Sequence, residues 1–258
     1  MDQLSWENEE IRKGFAAIGA AGPFVYGLTN YVAANLNANV LLAVGAGPAI
    51  GAASDWPSVF PAGAGGMWIN TAALMSSGPD SLLTAARTAH QAGTPWVLDP
   101  VAVGAGAPEY DAVVKSLLEF RPTIIRGNAS ELIALGGGTG GRGVETTADS
   151  SDAIESITEL ATSTGAVVAA SGPVDYISDG TRLVAIPGGD VRLTQVTGAG
   201  CSLGALCAAA AAAIDDPFQA ACIAHAAFAV AAERAGARTT GIGSFAVALL
   251  DELSLLNR

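Results

Sequence analysis

The sequence predicts an α/β fold: a mostly parallel central sheet with helices on both faces. Three observations lead there. Apolar runs of strand length alternate with segments of helical periodicity over most of the 258 residues, the pattern of strands joined by helical crossovers. The runs read as buried strands, as a sheet covered on both faces requires. Half the residues are apolar and only 14% are charged, enough to bury a sizeable core.

Residues 23–28 read as the first strand. Residues 30–44 read as a helix, with Val32, Leu36, Val40 and Val44 at helical spacing. Further strands are expected at 67–70, 96–99, 123–126 and 167–171, with helices at 81–92, 111–118, 130–135 and 152–162 between or after them. Residues 174–177 and 182–186 then form a hairpin across Ser178-Asp179-Gly180-Thr181, where Asp-Gly supplies the turn. Three helices follow at 200–213, 217–235 and 244–256, and a glycine-dense loop covers 136–143. No internal repeat and no linker interrupts the pattern, so residues 1–258 are expected to form a single domain.

Charge and cysteine usage exclude several functions. A net charge of −12 argues against nucleic acid as a partner, since phosphate backbones call for clustered Lys and Arg. One nucleotide is still compatible, because backbone N–H groups, a metal and one or two basic residues suffice to hold it. Cys201, Cys207 and Cys222 are odd in number and sit in Ala-rich stretches, as free thiols of a reducing compartment do. The N-terminus is acidic without an apolar secretion segment, and the longest apolar run, 201–214, is too short for a bilayer. A cytoplasmic protein with no membrane partner is expected.

Ligands of an open parallel sheet bind beyond the carboxyl ends of its strands. Asp99, Arg126-Gly127-Asn128 and Ser171-Gly172 fall at such ends, and Thr197-Gly198-Ala199-Gly200-Cys201 opens a helix. Gly198 and Gly200 permit a tight turn before N–H groups at the positive end of the helix dipole, an arrangement suited to phosphate or simply to close packing. Cys201 is either a thiol made partly thiolate by the helix terminus, fit to act as a base, or a small buried hydrophobe. Asp99 and Glu131 offer hard oxygen ligands for Mg²⁺ held largely through water, although Glu131 also fits the first turn of a helix. Arg126 can clamp phosphate or pair with an acid. His90 and His225 carry no catalytic or metal-ligand spacing, and no Gly-Lys-Thr phosphate loop is present. The residues alone therefore imply an α/β enzyme that binds a phosphorylated ligand.

The ordered set of segments resembles the hydroxyethylthiazole kinase family, within the ribokinase-like superfamily. The resemblance rests on Leu28-Thr29-Asn30-Tyr31-Val32, the run from Leu41 to Pro48, Val97-Leu98-Asp99-Pro100-Val101 and Ile125-Arg126-Gly127-Asn128-Ala129-Ser130-Glu131. Ser171-Gly172-Pro173-Val174-Asp175-Tyr176, Thr197-Gly198-Ala199-Gly200-Cys201 and the C-terminal Gly243-Ser244-Phe245 complete it. It implies a ribokinase-like three-layer α/β/α fold without a lid domain, and transfer of the ATP γ-phosphate to the alcohol of hydroxyethylthiazole. Arg126, Ser171 and Thr197 then match ATP-contacting positions. Asn30, Ile50 and Gly198 match substrate positions, and Asp99 and Glu131 those that manage Mg²⁺. Cys201 stands where ribokinase-like enzymes generally carry a catalytic aspartate, a cysteine that marks the thiazole kinases. A homotrimer with active sites between subunits is implied as well.

The chain departs from the family pattern in four places. Ile50 replaces a usual Met, Asn70-Thr71-Ala72-Ala73 replaces Asn-Ile-Gly-Thr, Ser171 stands where Thr is usual, and Ala199 replaces a Thr between the two glycines. The alternatives are a kinase of another small alcohol, such as a pyrimidine or sugar, an ATP-dependent dehydratase on the same fold, or a non-catalytic binder. The first two are expected to keep aspartate at position 201.

Overall fold

The computed structural model describes residues 1–138 and 149–257. The expected glycine-dense loop therefore lies largely outside the described residues. In chain order the strands are β1 (Asp2–Gln3), β2 (Phe24–Leu28), β3 (Gly47–Ile50), β4 (Gly66–Asn70), β5 (Trp96–Asp99), β6 (Ile124–Asn128), β7 (Val167–Ser171), β8 (Val174–Ser178) and β9 (Leu183–Pro187). The α-helices are α1 (Glu9–Ala21), α2 (Ala34–Ala43), α3 (Trp56–Gly63), α4 (Pro79–Ala92), α5 (Pro108–Ser116), α6 (Ala129–Leu135), α7 (Ile154–Thr164), α8 (Ala199–Ala213), α9 (Pro217–Arg238) and α10 (Ile242–Leu255). The strands form one nine-stranded sheet in the order β1-β9-β8-β7-β6-β5-β4-β2-β3. Pairing is parallel throughout, except that β8 runs antiparallel to both β7 and β9.

Side chains alternate between the two faces, so parity along each strand sorts the core. Val25, Trp68, Val97, Ile124, Val167 and Ala169 point to the face covered by α1, α2, α8, α9 and α10. Tyr26, Met67, Ile69, Trp96, Leu98, Ile125 and Val168 point to the face covered by α4, α5, α6 and α7, with Trp56 and Phe60 of α3 at its margin. Both faces are apolar, as a doubly covered sheet demands.

The helix on the first face that matters most is α8. It is buried from Ser202 to Ala211 and made largely of Ala, Gly and Cys, so it lies close against the middle strands. A Cβ on Gly66, at the start of β4, would collide with the Ala208 carbonyl of α8. Gly66→Ala is therefore expected to cost about 1–3 kcal/mol, the range for overpacking. An unchanged urea midpoint would mean that α8 yields at this contact.

Besides the two-residue edge strand β1, three elements were not expected from the sequence. The helix α1 buries only Ile11, Phe15 and Ile18, a stripe too narrow to stand out among its charged neighbours. The edge strand β3 contains Gly47 and Pro48, which disfavour strands except at an edge like this one. Short α3 carries Pro57 near its start and Pro61 inside. The helix expected at 30–44 begins instead at Ala34, because the Asn30 side chain accepts a hydrogen bond from the Ala33 N–H at 2.8 Å and turns the chain there.

Candidate active site

Strand parity and register assemble the site. Asn70, Asp99, Arg126 and Ser171 each lie two residues beyond a strand residue on the α8 face: Trp68, Val97, Ile124 and Ala169. Asn70 and Asp99 are register partners in β4 and β5, and Arg126 faces Ala169 across β6 and β7. All four therefore emerge at the carboxyl ends of parallel strands, beneath the start of α8.

Asp99 is fully buried. Its Oδ2 accepts from Asn70 Nδ2 at 2.9 Å and from Arg126 Nη1 at 3.2 Å, while its Oδ1 has no partner among the described residues. Arg126 also donates from Nη1 to the Gly200 carbonyl at 3.0 Å and from Nη2 to Ser171 Oγ at 2.8 Å. Its buried Nε has no partner among the described residues. Burial pushes the Asp99 carboxyl upward, against the Arg126 charge and the Asn70 amide, which hold it down. One buried acceptor and one buried donor are thus left unused, and groups of that kind require partners. Gly200 and Gly204, one turn apart on α8, make room for the pair. A Cβ would lie 3.5 Å from Arg126 Nη1 at Gly200 and 3.4 Å from Asp99 Oδ2 at Gly204.

Cys201 occupies the first turn of α8, and Asn30 Nδ2 reaches its Sγ at 3.8 Å. The thiol is not acidic, contrary to the expectation from the helix terminus. Burial pushes it up to about 11, Asp99 adds to the rise, and Arg126 with the Asn70 and Asn30 amides opposes it. Desolvation outweighs the helix dipole here, so the thiol is protonated at neutral pH. Gly198 caps α8 with φ of +87°, and a Cβ there would approach Ala33 Cβ to 3.0 Å. It lets the 28–33 loop close against the helix. Ser202 Oγ donates to Asn37 Oδ1 at 3.0 Å, and Asn37 Nδ2 to Thr29 Oγ1 at 3.1 Å, which locks that closure.

Glu131 is buried in α6. Its Oε2 accepts from the Asn128 N–H at 2.8 Å, completing a capping box, and its Oε1 from the Ala102 N–H at 2.9 Å. Burial and then Asp99 push its carboxyl up to about 7, against those N–H groups and Arg126. Of the two proposed metal-handling carboxylates, Asp99 alone has an unengaged oxygen. That atom fits a cation reached directly or through water. Glu131 already has a structural role. Among the described residues no group of three or more His, Cys, Asp and Glu is arranged to enclose a metal.

The other expected residues sit at the margin. Thr197 is exposed just before α8, and Ile50 is half-buried at the end of edge strand β3. His225 is a core residue paired with Asp175, not part of the site.

Comparison with known proteins identifies the lineage. Residues 15–258 match the model of the hydroxyethylthiazole kinase family. The chain belongs to this family. A protein named hydroxyethylthiazole kinase from Burkholderia thailandensis is 65% identical over 258 residues, covering 100% of this chain and 99% of that protein. One of the same name from Leptospira borgpetersenii is 44% identical over 99% of this chain and 97% of its own. The solved hydroxyethylthiazole kinase protein from Pyrococcus horikoshii superposes with a TM-score of 0.88 at 32% identity, covering 97% of this chain and 95% of that one.

Within this family member, sequence reasoning passed over Asn70 as a site residue. The signal was present. Asn70 shares parity with Trp68 and register with Asp99, and those two facts place its amide on the Asp99 carboxylate. Thr71 and Tyr110 were missed for a different reason. Their hydroxyls lie 2.8 Å apart, and Tyr110 donates to the Val101 carbonyl at 2.6 Å, linking α5 to the segment after Asp99. No local pattern announces a pair 39 residues apart.

Proposed function

We propose that this chain transfers the γ-phosphoryl group of ATP to the primary alcohol of hydroxyethylthiazole. Full-length similarity at 65% identity to a protein of that name carries the reading. The buried Asp99–Arg126 pair beneath the start of α8, with one open acceptor and one open donor, supplies the chemistry that fits it.

In this reading Arg126, fixed by Asp99, Gly200 and Ser171, meets the nucleotide phosphates together with first-turn N–H groups of α8 and Thr197. The alcohol lies against Asn30, Gly198 and Ile50. Its proton passes to Cys201 in the thiolate form, its oxygen bonds to the γ-phosphorus, and the bond to the β–γ bridging oxygen breaks, so that ADP leaves with the electron pair. Transfer of this kind has a loose transition state, so positioning and charge neutralisation carry most of the rate. Asp99 would hold Mg²⁺ through its free oxygen, with Glu131 behind it, and the ion would neutralise charge on the β- and γ-phosphates. The exposed Tyr31, Val32 and Leu42 offer apolar surface for a subunit contact, as a homotrimer with shared sites requires, each subunit a single catalytic domain. Three free cysteines support a cytoplasmic setting.

The deciding experiment measures ADP release with hydroxyethylthiazole, hydroxymethylpyrimidine and ribose side by side, with and without a chelator, and the assembly by light scattering. Release with the thiazole alone, abolished by chelator, is expected from a trimer. Faster turnover of either other alcohol would transfer the assignment to a related kinase.

A further inference from the structure

We propose that Asp175, anchored by His225, positions the turn between β7 and β8 so that Ser171 and Arg126 present a preformed site for the phosphates of ATP. The proposal rests on the reading of Arg126 and Ser171 as nucleotide contacts. Asp175 is a positioning residue in it and touches no reacting atom.

The turn is only Gly172-Pro173, and it follows Ser171 directly. The Asp175 carboxylate bridges it. One oxygen accepts from the Gly172 N–H at 2.9 Å, and the other lies 2.6 Å from His225 Nδ1. His225 is fully buried in α9 between Ala224 and Ala226. Burial lowers its affinity for a proton, but Asp175 and the neighbouring Cys207 raise it further, leaving the imidazole at about 9. The 2.6 Å contact of the His225 ring with Asp175 thus tethers the turn to the helical layer. From the other side, Ser150 Oγ donates to the Val174 carbonyl at 2.6 Å, and a Cβ on Gly172 would come within 2.5 Å of that hydroxyl. The turn is therefore gripped on both faces.

Stability alone does not explain such a pair. A buried ion pair seldom stabilises a protein more than apolar groups of similar volume do. Its effect is geometric. A shift of the turn would carry Ser171 Oγ away from Arg126 Nη2, the 2.8 Å contact that fixes the outer edge of the guanidinium. Binding groups misplaced by a fraction of an ångström lose affinity without any change in their own chemistry.

The test compares kcat and both KM values for Asp175→Ala, Asp175→Asn and the Asp175→Ala/His225→Leu double variant, with Arg126→Ala as control. The two alanine-containing variants should raise the KM for ATP about tenfold, the effect of one lost hydrogen bond to a charged group. The KM for hydroxyethylthiazole and kcat should stay within about twofold, within the scatter of distant substitutions. Asp175→Asn should recover the parental KM for ATP, because its amide oxygen can accept from Gly172 and its amide N–H can donate to neutral His225. A folded double variant with the parental KM for ATP would overturn the proposal. So would equal rises in both KM values, an asparagine variant as impaired as alanine, or failure of both alanine-containing variants to fold. The control separates the two levels of the reading. If Arg126→Ala leaves the KM for ATP unchanged, the nucleotide site itself is misassigned. If Arg126→Ala raises it and Asp175→Ala does not, only the positioning role fails.

Discussion

Asp99→Ala is expected to lower the free energy of unfolding by about 3–5 kcal/mol, the usual loss when one partner of a buried ion pair is removed. Asp99 is fully buried and the Arg126 side chain is 8% exposed. A guanidinium cannot shed its proton, so Arg126 would stay charged in an apolar layer, held only by the Gly200 carbonyl and the Ser171 hydroxyl. Asp99→Asn separates stability from function. It keeps the shape of the side chain and an oxygen for Arg126, and is expected to unfold closer to the parent. It removes the charge proposed to hold the cation, so kcat should still fall by about 10²–10³, as when one preorganised electrostatic group is deleted. Urea unfolding of both variants and kcat at saturating MgATP make the check. A parental kcat for Asp99→Asn would take Asp99 out of metal and phosphate handling. A parental urea midpoint for Asp99→Ala would mean that the Arg126 charge finds water or another acid.

The same contrast between local and long-range causes decides how much could be read from the chain. Strands β4, β5, β6 and β7 were legible because they are short apolar runs buried on both faces, and each ends in the polar residue that the site uses: Asn70, Asp99, Arg126 near the end of β6, and Ser171. Edge strand β3 was not legible, since Gly47 and Pro48 mask it and only pairing with β2 makes it a strand. The cap at Asn128 and Glu131 is a local pattern and could be seen as one. The state of Cys201 could not. A helix terminus is visible in sequence and lowers a thiol pKa, but the tertiary burial that raises it, with the Asp99 charge adding to the rise against the Asn30 and Asn70 amides, comes from residues far away in the chain. Likewise nothing local to His225 announces Asp175, the partner of its buried Nδ1, which is 50 residues away.

The elevated thiol ties turnover to pH. With Cys201 at about 11, the thiolate is present at neutral pH in roughly one part in 10⁴, and its population grows about tenfold per pH unit. If the thiolate takes the alcohol proton, kcat should climb steeply between about pH 7 and 10, below the thiol pKa. Cys201→Ala should lose this slope. At pH 7 it should also lose about 10²-fold in kcat, the lower end of the range for a positioned base, because the parent is itself mostly protonated there. Cys201→Asp should be faster than the parent at pH 7 and flat above it. A carboxylate is ionised at that pH, and Arg126, which already pulls the thiol down, offers it a cation. The neighbouring Asp99 opposes the added charge, so the gain is expected to be modest. The experiment is kcat against pH for the three enzymes at saturating MgATP and hydroxyethylthiazole. A flat parental profile, or a Cys201→Ala enzyme as fast as the parent at every pH, would reduce the thiol to packing at the start of α8.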